Sequence, residues 1–210
     1  MEKNFYNNNG LHVARNILGK FLIRKYEDKQ IVTKIVETEG YMGIKDKAAH
    51  VYNDKKTDRT KPLYLEGGHI YVYLIYGMYH CLNISANVEN VPECVLIRGI
   101  EPIIGFDEIA FNRYKKSYDE LSNYQKKNIT NGPGKLCMAL QIDRDLNCKS
   151  ILDSELYISD FYIDENGEKV FSHTEFEVIE AKRVNIDYAE EAKDYLWRYY
   201  IKNNKYVSIK

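Results

Sequence analysis

Along the chain, apolar runs of strand length alternate with short polar breaks, and few stretches carry a helical period. Leu11, Ala14, Ile17 and Leu18 recur at helical spacing behind Asn9-Gly10 and predict a first helix. Residues 21–39, FLIRKYEDKQIVTKIVETE, read as two strands joined around Glu27, Asp28 and Lys29. HIYVYLIY and CLNISANV predict two more, with Gly77 supplying the backbone freedom for a tight connection. ECVLIRGIEP predicts another strand, stopped by Pro102. Residues 112–130, polar and basic, read as an exposed helix or a long loop, and Gly132-Pro133-Gly134 marks the start of a helix through KLCMALQI. SELYISDFYIDENGEKV alternates and turns at Glu165-Asn166-Gly167, and DYAEEAKDYLWRYYIK predicts a closing helix. Strands outnumber helices and come as hairpins, which gives an α+β class with a mainly antiparallel sheet. No repeat or linker divides the 210 residues, so one domain is expected over residues 1–210, with residues 1–10 flexible.

Certain positions do not suit a core. In IVETEGYMGIKDKAAH a strand that opens apolar continues into Glu37, Glu39 and Tyr41, and His50 follows within sixteen residues. Period two places Ile35, Glu37, Glu39 and Tyr41 on one face, with the acids where the strand leaves the core. Gly40 and Gly43 allow a turn that brings His50 back toward Glu39. A carboxylate beside an aromatic ring and an imidazole suits a general base, while a solvated strand end is the plainer reading of the same spacing. In GGHIYVYLIYGMYHCLN, Tyr71 and Tyr73 share one strand face, and Tyr76 sits at a hairpin tip where a large ring has little to pack on. An exposed aromatic on a rigid tip suits a wedge for a base stack. Asn83 is an amide in an apolar strand and needs partners if buried. Lys135, at the start of the GPGKL helix, suits either a phosphate contact or plain capping.

Composition narrows the picture. Tyrosine is heavily represented, at 19 against 7 Phe and 1 Trp, and a ring with a polar tip suits pockets for flat ligands. No apolar run approaches the roughly 18–20 residues of a membrane span, and MEKNFYNNNG lacks a signal-peptide pattern. Cys81, Cys94, Cys137 and Cys148 form no C-x-x-C, so reduced thiols, no metal and a cytoplasmic location are expected. The net charge of −1 argues against a nucleic-acid partner, but the charge is uneven. Residues 45–61 hold six Lys/Arg against three Asp, residues 113–135 six against two acids, and residues 151–180 nine acids against Lys169. A basic face with an acidic back meets the electrostatic requirement for phosphate locally.

Taken together, VARNILGK, VETEGYMG…DKAAH, YVYLIYGMYHCLN, VLIRGIEP and NGPGKL resemble, in order, the blocks of the alkyladenine (3-methyladenine) DNA glycosylases of the mammalian type. They span roughly residues 12–140, with an ARV-like echo at Ala181–Val184 and a YVSI ending. The resemblance implies a compact domain with a curved sheet, flanking helices and a protruding β-hairpin. It also implies a monofunctional, cofactor-free and monomeric enzyme of base excision repair, acting on double-stranded DNA with damaged purines. By the same resemblance Glu39 activates water, and Arg98 helps to hold that water and the carboxylate. Tyr41, His50 and Tyr73 stack on the flipped base, and Asn83 inspects the purine edge. Tyr76, with Met78 beside it, enters the minor groove, while Thr57, Arg59 and Lys135 touch the DNA backbone. His80 stands where some relatives carry an aromatic ring, and residues 112–130 are longer and more basic than the resemblance leads one to expect.

Two other classes remain in view: a nucleic-acid-binding module of the same fold without catalysis, and a metal hydrolase using Glu37, Glu39 and His50. The first conflicts with intact Glu39 and Arg98, and the second lacks a further His or Cys at workable spacing.

Overall fold

A computed structural model of the chain describes residues 1–26, 29–173 and 175–210. Two short helices, α1 (Lys3–Tyr6) and α2 (Gly10–Asn16), precede strands β1 (Phe21–Tyr26) and β2 (Lys29–Tyr41). Asn9 caps α2, its side chain accepting from the His12 N–H, and Tyr6 is fully buried. Next come β3 (Ile70–Ile75), β4 (Tyr79–Ala86), β5 (Glu93–Ile104) and α3 (Phe106–Tyr114). Helices α4 (Asn123–Lys127) and α5 (Pro133–Ala139) follow, then β6 (Leu156–Ser159), β7 (Phe161–Ile163) and β8 (Lys169–Phe171). Strands β9 (Val178–Ala181) and β10 (Arg198–Ile201) complete the set.

The main sheet is antiparallel and curls into a half-barrel in the order β3-β4-β5-β2-β1-β6, with β10 joined to β2 and β9 to β10. This is the α+β architecture expected. One large core fills the sheet's concavity beneath α2, α3 and α5, drawing on Val13, Ile17, Leu82, Ile97, Ile109 and Leu136. Strands β1 and β2 pair with Tyr26 opposite Lys29, so the expected turn residues Glu27 and Asp28 lie outside the described residues. Strands β7 and β8 form the expected hairpin around Gly167, which has φ +82°.

Three expectations need correction. First, the C-terminal apolar segment is not a closing helix. A single 3-10 turn at Glu190–Asp194 leads into β10, which pairs Arg198 with Glu39 and Tyr200 with Glu37. Aromatic and β-branched residues in WRYYI suit a strand, and an open edge of β2 beyond the reach of β1 accepts it.

Second, β5 continues through Pro102 to Ile104. Strand β4 pairs only with residues 93–96 of β5, so at Pro102 one edge is free of ladder bonds, and a register shift follows it. Proline is tolerated in that setting.

Third, the acids do not lie where the strand leaves the core. Glu37 and Glu39 are wholly buried. Alternation also fails to run through from Ile35, because a bulge leaves Val36 unopposed, and Ile35 and Val36 both enter the main core. A matching irregularity on β5 leaves Arg98 without a ladder partner: Glu37 faces Gly99 and Thr38 faces Ile97. Bulges re-aim side chains, and this one delivers the guanidinium to the two carboxylates.

Candidate active site

The centre is built where β2, β5 and β10 run side by side. Glu37 is tied to the C-terminal segment. Its Oε1 accepts from Arg198 Nη1 at 2.8 Å and from Arg98 Nε at 3.4 Å, and its Oε2 accepts from the Ser208 N–H at 2.7 Å. Arg198 in turn donates to the Ile209 and Lys182 carbonyls, so the C-terminal segment is tied to this carboxylate. The segment lies close because position 99 is glycine: a Cβ there would come within 2.7 Å of the Tyr206 carbonyl oxygen.

Glu39 is held differently. Its Oε2 accepts from the Tyr41 hydroxyl at 2.8 Å, and its Oε1 accepts from the Val184 N–H at 2.8 Å and lies 3.3 Å from Arg98 Nη1. Burial disfavours the charge on Arg98, but Glu39 and then Glu37 more than offset this and keep the guanidinium firmly cationic. Burial first, and then the charge of Glu39, raise the Tyr41 hydroxyl well above its usual value, so it stays a donor.

In front of this carboxylate opens a cavity of about 420 Å³, lined among others by Tyr41, Arg98 and Val184, the three residues that hold Glu39. The volume falls within the range of small-molecule sites. His50, Tyr71 and Tyr73 form an aromatic wall of the same cavity. The His50 and Tyr73 rings meet edge to face at 4.6 Å, and His50 Nδ1 lies 2.9 Å from the Tyr71 hydroxyl. Asn83 also lines it, nearly buried, with Nδ2 donating to the Tyr71 and Cys81 carbonyls at 3.2 and 3.4 Å. Both bonds use the amide nitrogen, so the side chain cannot swing away from whatever enters.

Burial first, and then the nearby charges of Arg59 and Lys55, pull His50 from its usual 6.5 down to about 4. The ring is therefore neutral near pH 7. Because the native state resists its protonation, the fold loses stability as pH falls from 6.5 toward 4, where the unfolded chain alone takes up the proton. His50→Gln is expected to remove that contribution, flattening the fall by about 1.4 kcal/mol per pH unit. Denaturant unfolding of both proteins between pH 4 and 7 checks it.

The hairpin of β3 and β4 projects from the rim. Met78 N donates to the Ile75 carbonyl, and Tyr76 and Gly77 have φ of +53° and +71°, the geometry of a type I′ turn. Gly77 adopts it freely, whereas a tyrosine there is strained. Tyr76 is 74% exposed and Met78 66%, so neither is explained by packing.

The cavity thus brings together Arg98, Tyr41, His50, Tyr73, Asn83 and Tyr76, while Glu39 does not itself line it and stands behind Tyr41, Val184 and Arg98. Arg59 joins them at the mouth, its guanidinium 5.0 Å from the Tyr73 ring centre and its Nη2 3.4 Å from His50 Nε2. Thr57 and Lys135 stay outside the cavity lining. The Thr57 hydroxyl pairs with that of Thr60, and Lys135 Nζ donates to Asn128 and Asn131 at 2.8 Å each. His80 is half-buried opposite Leu74 and does not line the cavity. Missed in the sequence were Tyr71, Val184 and Tyr188 of the cavity, and Arg198 and Ser208 behind it. The ARV-like echo was the signal for Val184, and the strand face shared with Tyr73 was the signal for Tyr71; the others depend on which strands become neighbours.

The family model for methylpurine-DNA glycosylase matches residues 4–205. A protein of Clostridioides difficile strain 630 is 72% identical over 201 residues, covering 96% of this chain and 100% of its own. Proteins of Clostridium perfringens strain 13 and Clostridium novyi are 53% and 51% identical, covering 99% and 100% of this chain and 98% of each relative. All three relatives are provisionally named 3-methyladenine DNA glycosylases.

Proposed function

The chain belongs to the methylpurine-DNA glycosylase family, and from that premise we propose that it flips alkylated or deaminated purines out of duplex DNA and hydrolyses their N-glycosidic bond with water activated by Glu39. The observation that carries the reading is a wholly buried carboxylate, bonded at both oxygens, directly behind an aromatic-walled cavity. The bond to be broken is unreachable inside a duplex, so the nucleotide has to rotate out. Stacking on the walls returns about 1–3 kcal/mol per base toward that cost. Water gives a proton to Glu39 and bonds to C1′ as the C1′–N9 bond breaks, and the purine departs with the bonding pair. Alkylation at ring N3 or N7 makes the purine cationic, so it departs readily and one catalytic carboxylate suffices. A neutral purine such as hypoxanthine departs as the anion and takes its proton from solvent water. Among the described residues lining the cavity none is a lysine, which supports simple hydrolysis, leaving an abasic site and an uncut strand.

The decisive experiment incubates the protein with duplexes carrying hypoxanthine, ethenoadenine or 3-methyladenine and scores released base. Free base with strand breakage only after alkali treatment is expected. Binding without release would favour the non-catalytic module instead.

Tyr76 is proposed as the wedge that fills the vacated stack. Asparagine accepts positive φ more readily than tyrosine, so Tyr76→Asn should keep or slightly raise the melting temperature while slowing excision of a paired lesion about tenfold. The same lesion opposite a gap should lose less, because no unpairing is needed there. Equal losses on both substrates would assign Tyr76 a purely structural role.

A further inference from the structure

We propose that Asp46 and Arg183 form a positioning unit for the catalytic centre, holding Glu39 in its reactive geometry through Val184 and Tyr41; this rests on the glycosylase reading above. Both side chains are entirely buried, and they pair bidentately: Nη1 to Oδ2 at 2.5 Å and Nη2 to Oδ1 at 2.8 Å. Arg183 also donates to the carbonyls of Gly40 and Ala192, and Asp46 accepts from the N–H groups of Met42 and Ala48. The pair therefore fastens the end of β2 and the turn after it to the C-terminal segment.

Two links lead from this pair to Glu39, one to each carboxylate oxygen. Val184, the residue after Arg183, gives its N–H to Oε1. The guanidinium lies 4.7 Å from the Tyr41 ring centre and 4.9 Å from that of Trp197, and the Tyr41 hydroxyl bonds Oε2. Tyr41 lines the cavity and Arg183 does not, so the guanidinium backs the ring from behind. Its Nε is buried without a hydrogen-bond partner among the described residues. An unpaired buried donor carries a cost, and buried ion pairs are often no more stabilising than apolar residues of the same volume. The stack and the fixed neighbour are what the arrangement secures.

The consequence is readable in the pH profile. Donors to a carboxylate favour its charged form, so loosening Val184 and Tyr41 moves the acid limb of the rate profile upward. Arg183 also acts on Glu39 through its charge, and the other charged or titratable groups facing it are Arg98 from β5, Cys81 from β4, Arg198 opposite it on β10, Tyr188 from the C-terminal segment, and Glu37 on its own strand; Asp46→Asn keeps all of these, so its acid limb reports positioning rather than a lost cation.

The test compares wild type with Asp46→Leu/Arg183→Met, which removes both charges together and keeps the volume filled, and with Asp46→Asn, which keeps the shape should the double variant fail to fold. Single-turnover release of hypoxanthine from duplex DNA is followed across pH, alongside binding to an abasic-site analogue. A folded variant is expected to bind the analogue as wild type does, to release base at least tenfold more slowly, and to show its acid limb about one pH unit higher. Amide hydrogen exchange at Val184, measured without DNA, should speed up. A folded variant with the wild-type rate and profile, or with a slower rate but an unmoved acid limb and unchanged Val184 exchange, overturns the proposal. If wild type itself releases no base, the reaction assignment fails, and Val184 exchange still decides whether the pair positions that donor.

Discussion

Glu39→Gln is expected to slow base release by about 10²–10⁴-fold, the usual worth of a general base, while leaving affinity for an abasic-site analogue nearly unchanged. Glutamine fills the same space and keeps an acceptor for Val184 or Tyr41, but cannot take a proton from water. Glu37→Gln should behave in the opposite way. That carboxylate is turned toward Arg198, Arg98 and the Ser208 N–H, and these partners tie down the C-terminal segment. Breaking a buried pair costs about 3–5 kcal/mol, so this variant should melt markedly lower yet turn over where it remains folded. Single-turnover kinetics together with thermal melts separate the two. A dead Glu37→Gln beside an active Glu39→Gln would mean that the roles are exchanged.

Asn83→Ser should relax selectivity without removing activity. Guanine differs from adenine and hypoxanthine by a 2-amino group, and rejecting it requires something that cannot share space or hydrogen bonds with that group. Asn83 suits the task because its amide nitrogen is pinned to two backbone carbonyls, 3.2 and 3.4 Å away, in a strand beside the cavity. A pinned side chain meets an extra substituent with steric conflict or an unpaired polar group, worth about 1–3 kcal/mol, or roughly ten- to a hundredfold in discrimination. Serine removes the obstruction. Competition between duplexes carrying hypoxanthine and mispaired guanine should show hypoxanthine release retained and guanine release newly measurable. Loss of all release, with no guanine excised, would make Asn83 a scaffold residue and place the filter elsewhere.

Legibility differed by element. The turn at Gly77 was clear because glycine readily takes one of its two positive-φ positions, Tyr76 taking the other under strain, and α5 because Pro133 can open a helix but not continue one. The closing segment was misread because DYAEEAKDYLWRYYIK satisfies a helical period locally, while a free edge on β2, invisible in the sequence, draws its last residues into a strand. Pro102 was misread for a related reason: a proline ends a paired strand, but not one whose neighbouring edge is empty.

What the sequence determined by itself was the chemistry on offer. Two alternating carboxylates, a run of tyrosines around a hairpin, a lone amide and five ordered blocks pointed to a family and to the residue types of its site. Side-chain identity and strand period are local properties, and they survive without a fold. What the tertiary structure decided was which groups share a charge and which face a space. Paired bulges in β2 and β5 release Arg98 toward both acids, β10 hands Glu37 a second arginine, and Val184 arrives from far along the chain to hold Glu39. Period two gave the two glutamates the same environment. Long-range strand pairing divides them, because burial turns each carboxylate toward whichever donors the neighbouring strands supply.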